Sequence, residues 1–383
     1  MGTSASRVRQ RRDAARTPQE YIDHDVTSRY DVGRRIGRGC YGIVYEAREG
    51  LGLRRECAIK KILFAFKNSP DAQRTYREIS YLLQFAGHKN IMHIYDVIPS
   101  RDDKHLYMVC EILDADLAKA IKSSAMTDRQ QKFITYQVLR GLKYIHSAGV
   151  VHRDIKPANI FLTRRCETKI GDFGWARSLP VGRNESALTE YPSARWYRSP
   201  ELILGGNRYN TACDIWAVGC IAGEMNSREP MLPGDCTQTM LELIIDMLGK
   251  PSKFDIMCLE AQYAEMMLDC LPPELPRRPI PVRFHGKEPQ FIDFLQLILQ
   301  MNPEKRMDVN EALQHPHMAN FHNPDDEPAF GRKISLPVPD HQPVTATRYR
   351  VQIYADYLGL DKARAELEDL RRKELRDEAA LTF

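Results

Sequence analysis

Asp154, Lys156, Asn159 and Asp172 stand close together in the chain and offer what transfer of a phosphoryl group requires. That reaction asks for charge neutralisation, in-line placement and a group that orients the attacking hydroxyl, with little covalent help from the protein. Asp154 suits the orienting role, and Lys156 can neutralise phosphate charge. Asn159 and Asp172 are hard oxygen ligands of the kind Mg2+ takes, since that ion uses few protein ligands and keeps substrate phosphates for the rest. The run is His152-Arg153-Asp154-Ile155-Lys156-Pro157-Ala158-Asn159, followed by Asp172-Phe173-Gly174. The chance that such spacings arise together in a structural protein is negligible.

Upstream, Gly37-Arg38-Gly39-Cys40-Tyr41-Gly42 makes a G-x-G-x-x-G pattern with Val44 just beyond. Alone it is weak, because glycines also close ordinary hairpins. A dinucleotide fold would continue with a helix and an acid about 20 residues on, whereas here a strand follows. A hairpin lid fits better: without side chains at the glycines, backbone N–H groups can approach phosphate oxygens. Ala58-Ile59-Lys60 comes next on a strand. A buried lysine is costly unless its charge is met, and Glu78 on the following helix is the carboxylate expected to meet it. Alternation turns the adjacent Lys61 to the other face, where it is expected to be exposed.

The elements that must hold these residues are legible in the apolar pattern. Strands are expected over Tyr30–Ile36, Ile43–Ala47, Cys57–Leu63, Ile94–Ile98 and His105–Cys110, with a helix over Asp71–Phe85. After Asp116 the chain turns helical. Thr127 with Gln130 makes a capping box, an apolar face follows through Ile145, and Gly149 marks the helix end. Further helices are expected over Asn210–Met225, Thr237–Leu248 and Pro289–Met301, with Leu271–Val282 irregular. Residues 1–28 read as a flexible basic tail, in which Arg7, Arg9, Arg11, Arg12 and Arg16 face one acid, Asp13. Residues 29–321 read as one catalytic domain, with an N-lobe 29–112 and a C-lobe 113–321. Residues 322–383 read as an extension ending in a charged helix-former over 360–378.

Composition removes other classes. Hydrophobic residues are 43% and charged residues 28%, enough for a sizeable core. A net charge of +4, from 55 basic and 51 acidic side chains, gives no case for nucleic acid as a partner. Nine scattered cysteines without a Cys-x-x-Cys pair argue against a disulfide or zinc framework and for a reducing compartment. With no secretory signal or spanning segment, cytosol or nucleus is the expected location. Met1-Gly2-Thr3-Ser4-Ala5-Ser6 fits the N-myristoylation pattern. The arginines behind it could give the second signal that a weak single-chain anchor needs; an unmodified tail is the alternative.

Taken together, these motifs resemble the protein-kinase signature over residues 30–321. The resemblance implies a bilobal α+β fold, with a small β-rich N-lobe and a larger helical C-lobe, and ATP and Mg2+ as cofactors. It implies Asp154, Lys156, Lys60 and Glu78 as catalytic, and Asn159 and Asp172 as metal ligands. Around ATP it places Ile36, Gly37, Gly39, Gly42, Val44, Ala58, Lys60, Cys110, Glu111, Leu113, Asp116 and Phe161. Glu111 to Leu113 would be the hinge, Cys110 would back the adenine pocket and Asp116 would meet the ribose. Glu201 of Ser199-Pro200-Glu201 is expected to pair with Arg306. Asp214 and Trp216 match the helix that anchors the catalytic loop, and Leu82, His152 and Phe173 match members of a packed spine.

Thr189-Glu190-Tyr191, ahead of Arg195-Trp196-Tyr197-Arg198, resembles the dual phosphorylation site of MAP kinases. This implies phosphorylation of Thr189 and Tyr191, by an upstream kinase or by the chain itself, with Arg77, Arg153, Arg177, Arg195 and Arg198 receiving the phosphates. It also implies a monomer acting on Ser-Pro or Thr-Pro sites of protein substrates. Gly249–Lys287 is similar to the MAP-kinase insert, and Phe321–Pro328 to the start of a docking region. Ala65-Phe66, Asp71–Thr75, Ala176–Leu179 and Tyr349–Tyr354 are similar to the atypical extracellular-signal-regulated branch, MAP kinase fifteen. Some members of that branch associate with basal bodies. Departures from the pattern are Ala194 for threonine, Trp175 for leucine, Ile155, Ala158, and Asn323 for a docking acid. A pseudokinase scaffold is the rival from another class, disfavoured by the intact catalytic set. A cyclin-dependent-type kinase is disfavoured by Arg74-Thr75-Tyr76-Arg77-Glu78 and by Thr189-Glu190-Tyr191.

Overall fold

Alternating apolar residues from Tyr30 onward build an antiparallel sheet. The computed structural model describes residues 20–39, 41–50, 54–123, 126–179, 195–206, 210–338, 344–359 and Leu370. In it the sheet has strands β1 (Tyr30–Arg38), β2 (Gly42–Glu49), β3 (Glu56–Ile62), β4 (Ile94–Pro99) and β5 (Leu106–Cys110), in the order β1-β2-β3-β5-β4. Register sets Ala58 opposite Cys110 and Lys60 opposite Met108. Ile43, Tyr45, Ile59, Tyr107 and Val109 fill a core on the face away from Lys60. Numbering only the longer helices, α1 (Ser69–Gln84) follows β3. Asn68 starts it by accepting from the Asp71 N–H at 2.8 Å, which satisfies one of the donors every helix start leaves open.

The chain divides into two compact units, one of Met1–Ile79, Met92–Ile112 and Pro343–Phe383, the other of Ser80–Ile91 and Leu113–Gln342. In the first, two expectations need correction. Residues 20–28 are not a free tail: Ile22 and Val26 are buried against the sheet, and His24–Thr27 form a helical turn. Lys61 is not exposed either. Alternation turns it away from Lys60 as expected, but this segment covers that face, and the ammonium donates to the Tyr21 carbonyl at 2.6 Å. Burial lowers its pKa, while Asp23 and Asp102 pull the other way. The covering segment is pinned further by Tyr107, which donates to Asp23 at 2.7 Å, and by an ion pair between Arg101 and Asp25. Residues 1–19 lie outside the described residues.

The second unit is mainly helical. It holds β6 (Ala115–Asp116), α2 (Leu117–Ser123), α3 (Asp128–Ser147), β7 (Val150–Val151), β8 (Ile160–Leu162), β9 (Thr168–Ile170), β10 (Arg177–Ser178), α4 (Ala212–Ser227), α5 (Thr237–Leu248) and α6 (Pro289–Ile298). The Thr127–Gln130 capping box opens α3, and Gly149, at φ +72°, follows its end. α4 is apolar on every side and is buried from Cys213 to Met225, as such a helix must be. One helical turn, Ile280–Arg283, interrupts the stretch expected to be irregular.

The C-terminal extension contributes α7 (Ala346–Tyr357), which belongs to the first unit and packs on α1. The Tyr349 and Tyr76 rings lie 5.5 Å apart, and Gln73 donates to the Tyr349 hydroxyl at 2.8 Å. Tyr354 donates to Asp103 at 3.0 Å. The charged segment 360–378 lies outside the described residues apart from Leu370. Because the covering segment fills core volume, Ile22→Ala should destabilise the protein by about 2–5 kcal/mol, the range for truncating a buried aliphatic side chain. Urea unfolding followed by fluorescence checks this; an unchanged midpoint would restore the tail reading.

Candidate active site

In the first unit, the β1–β2 turn carries the three glycines. A side chain at Gly42 would meet the Lys61 carbonyl oxygen at 2.5 Å, so the sheet itself excludes one there. A side chain at Gly39 would meet nothing within 4 Å, and one at Gly37 only the Val44 side chain at 3.7 Å. Packing does not explain their missing side chains, which is consistent with a lid that a ligand approaches. Behind it, Lys60 pairs with Glu78, and Glu78 is buried. Strand β3 supplies the lysine and α1 the carboxylate, so the pair reports how α1 sits on the sheet. Ala58 and Cys110 lie side by side by register, and burial pushes the Cys110 thiol far above its ordinary pKa. The Glu111 N–H is committed to the His93 carbonyl at 3.0 Å, so contact with a base would run through the Glu111 carbonyl. Ile36 is partly exposed, and Arg77 is buried on α1 beside Glu78.

In the second unit, the loop between β7 and β8 gathers Asp154, Lys156 and Asn159. Lys156 donates to Asp154 Oδ2 at 2.7 Å, and the Asn159 amide donates to the same oxygen at 2.9 Å and to the Asp154 carbonyl at 2.8 Å. Using Nδ2 in this way turns the Asn159 Oδ1 into the group that can face a cation. Asp172 adds a carboxylate from a left-handed backbone, φ 58° and ψ 71°, and Arg153 is left-handed too, at φ 67°. Such conformations are costly for residues other than glycine and persist only where the surroundings enforce them. An amide oxygen and a carboxylate form a hard, sparse donor set that fits Mg2+.

The enforcing group is Asp214, at the start of α4. Its carboxylate accepts from the His152 and Arg153 backbone N–H groups at 2.9 and 2.8 Å and bonds the His146 ring at 2.9 Å. Burial pushes its pKa up, but the His146 hydrogen bond and the nearby positive groups outweigh that and hold it below the ordinary value. The His152 ring bridges the Asp154 N–H and the Gly171 carbonyl and lies 4.7 Å from the Phe173 ring. Leu82 is buried in the same unit.

Asp116 lies opposite Phe161 in the β6–β8 register and caps α2 through the Lys119 N–H at 2.8 Å. Leu113 directly precedes that segment. Arg153 and Arg198 line one cavity with Asp154, Tyr197 and Cys213. Arg177 lies in β10, opposite Val151. Arg195 is directed to the Asp235 carbonyl and Trp196 donates to the Gly234 carbonyl, so these two brace the segment on its neighbour. Thr189, Tyr191 and Ala194 lie outside the described residues. The expected Glu201–Arg306 pair forms with two parallel bonds of 3.0 and 3.1 Å, fully buried. Arg306 also donates to the Ala212 and Gln300 carbonyls.

Sequence reasoning missed Asn90, which donates to the Thr168 carbonyl at 2.8 Å and to Gln137 at 3.3 Å, tying β9 to α3. No local signal marks it, because its partners are distant in sequence. It also missed the fate of the docking-type acids. Asp326 pairs with Lys89 and Arg140, and Glu327 with His322 and Lys143. Asn323, the departure from the acidic pattern, accepts from the Asp325 N–H at 3.2 Å.

Residues 30–318 match the family described as protein kinase domain. Extracellular signal-regulated kinase 2 of Dictyostelium discoideum is 40% identical over 347 residues, which is 90% of this chain and 94% of that protein. Mitogen-activated protein kinase 15 is 35% identical in Caenorhabditis elegans and 40% in Rattus norvegicus, each alignment covering 93% of this chain and 76% and 68% of the relative.

Removing one partner of a buried ion pair strands the other charge. Arg306→Ala should therefore cost about 3–5 kcal/mol, read from chemical unfolding. The double replacement Glu201→Leu with Arg306→Met should cost clearly less, because no charge is left unpaired. Equal losses would mean the pair's electrostatics are not what matters.

Proposed function

This chain belongs to the protein kinase family and, within it, to the MAP kinases, and we propose that Asp154 is the group through which it phosphorylates serine or threonine followed by proline. It is a serine/threonine protein kinase, and its family uses ATP and Mg2+ on protein substrates. The observation that carries the residue assignment is the convergence of Lys156 and Asn159 on Asp154 Oδ2. With that oxygen engaged, Oδ1 can accept the proton of a substrate hydroxyl. The hydroxyl oxygen then bonds to the γ-phosphorus as the bond to the β-phosphate oxygen breaks, the proton passes to Asp154 and ADP leaves. Lys156 would offset charge on the transferred group, and Lys60, held by Glu78, would meet the inner phosphates. Mg2+, held by Asn159 and Asp172, would neutralise charge on the phosphate oxygens when bound.

Two finer points extend the reading. Thr189 and Tyr191 switch the enzyme on when phosphorylated, supported by the tripeptide's place in the sequence and by Arg153 and Arg198 lining the cavity beside Asp154. Basic docking peptides are weak partners here, because Asp326 and Glu327 already hold internal cations.

Asp154→Asn should keep the fold and lower turnover by about a hundredfold or more, the low end for a positioned acid–base group. A steady-state assay on a Ser-Pro peptide measures it, and near-normal turnover would end the assignment. Thr189→Ala with Tyr191→Phe should abolish the rise in activity that accompanies phosphorylation of the wild type, followed by mass spectrometry and rate together. Undiminished activation in that variant would dismiss the switch.

A further inference from the structure

One contact in the first unit lies outside the chemistry above. The Arg74 guanidinium lies over the Tyr41 ring, 3.7 Å from its centroid. Tyr41 stands between Gly39 and Gly42 at the tip of the glycine turn, and Arg74 is on α1, four residues before Glu78. Four residues is about one helical turn, so Arg74 and Glu78 share a face of α1. We propose that this stack is a latch, with Arg74 a positioning residue that fixes the phosphate-facing glycine turn to the helix that presents Glu78.

Three observations support it. Among the described residues of the turn, a side chain at Gly39 would meet nothing within 4 Å, the Gly39 N–H donates to the Gly42 carbonyl at 2.9 Å, and the Leu63 N–H donates to the Tyr41 carbonyl at 3.0 Å. Both bonds tie the turn to its own strand neighbours, not to α1. Tyr41 is 43% exposed, so burial alone holds it less firmly than a core tyrosine is held. A guanidinium over an aromatic face is attracted by the ring quadrupole, most strongly when partly desolvated, and Arg74 is half-buried. Finally, α1 is itself fixed on this unit by Lys60–Glu78 and by Tyr349 against Gln73 and Tyr76, so the latch ties the turn to a braced element.

A latch on the phosphate-facing turn has a signature that general stabilisation lacks: it strengthens binding of phosphates and not of the nucleoside. The inference rests on the kinase reading for what the turn contacts, but its test does not need turnover. Affinities for Mg-ATP and for adenosine are measured by calorimetry in the Asp154→Asn background, where self-phosphorylation cannot differ between variants. Arg74→Met and Tyr41→Leu should each weaken Mg-ATP by about twofold to thirtyfold, the span of an exposed to a partly desolvated cation–π contact, and leave adenosine unchanged. The double variant should be no weaker than either single one, since both remove the same contact. Tyr41→Phe, which keeps the ring face, should bind as the parent does. Equal weakening of ATP and adenosine, additive losses, a loss in Tyr41→Phe matching that of Tyr41→Leu, or no loss in the two single variants would each overturn the latch. If the protein with Asp154 intact transferred no phosphate, the kinase reading would fail, while the binding comparison would still decide the latch.

Discussion

The reactive loop depends on one buried carboxylate. Asp214 takes two consecutive backbone N–H groups, from His152 and Arg153, and a ring nitrogen from His146. Consecutive N–H groups can point at one carboxylate only if the backbone turns sharply, and Arg153 does so at φ 67°. The next residue is Asp154. The strain of that turn is offset where charge-assisted hydrogen bonds are strongest, in a site that water does not reach. Asp214 in turn is fixed because α4 is buried along its length and its first turn is tied by Arg306 through the Ala212 carbonyl. The Glu201–Arg306 pair, remote from the reacting groups in sequence, thus reaches them through α4.

In the first unit the comparable role falls to α1. It carries Glu78 toward Lys60 on one face and meets Tyr349 of α7 on another. A helix alone would be held on a sheet mainly by its apolar stripe, which leaves rotation and sliding cheap. The ion pair and the tyrosine contact restrict both motions with directional groups. Residues 20–28 and α7 also converge on the β4–β5 turn, where Arg101 meets Asp25 and Asp103 meets Tyr354. Residues 20–28 and α7 are therefore parts of the sheet unit and not appendages to it.

The acids at the start of the extension take part in ion pairs within their own unit. Of the docking-type acids Asp325 and Asp326, Asp325 is exposed while Asp326 pairs with Lys89 and Arg140, and the neighbouring Glu327 pairs with Lys143 of the same unit. These bonds fasten the start of the extension to α3. Phe330, against Phe85 and Tyr144, continues that attachment with apolar area.

The reaction class is legible in the order of the residues alone. Asp154, Lys156, Asn159 and Asp172 lie in short runs whose spacing the chemistry dictates, and the glycine turn, β3 and α1 could be placed by period and turn chemistry alone. Strand alternation put Lys60 and Lys61 on opposite faces, because that is local geometry. The burial of Lys61 comes from folding, since its cover is the segment with Tyr21, Ile22 and Val26, residues too polar in company to read as core. Folding alone brought Asn90 between β9 and α3, paired the acids at 326 and 327 with cations of the same unit, and set Arg74 over Tyr41. The reason is the same in each case. A period or a motif records what a segment does with its own neighbours, whereas a buried polar group takes its meaning from a partner that folding brings from elsewhere in the chain.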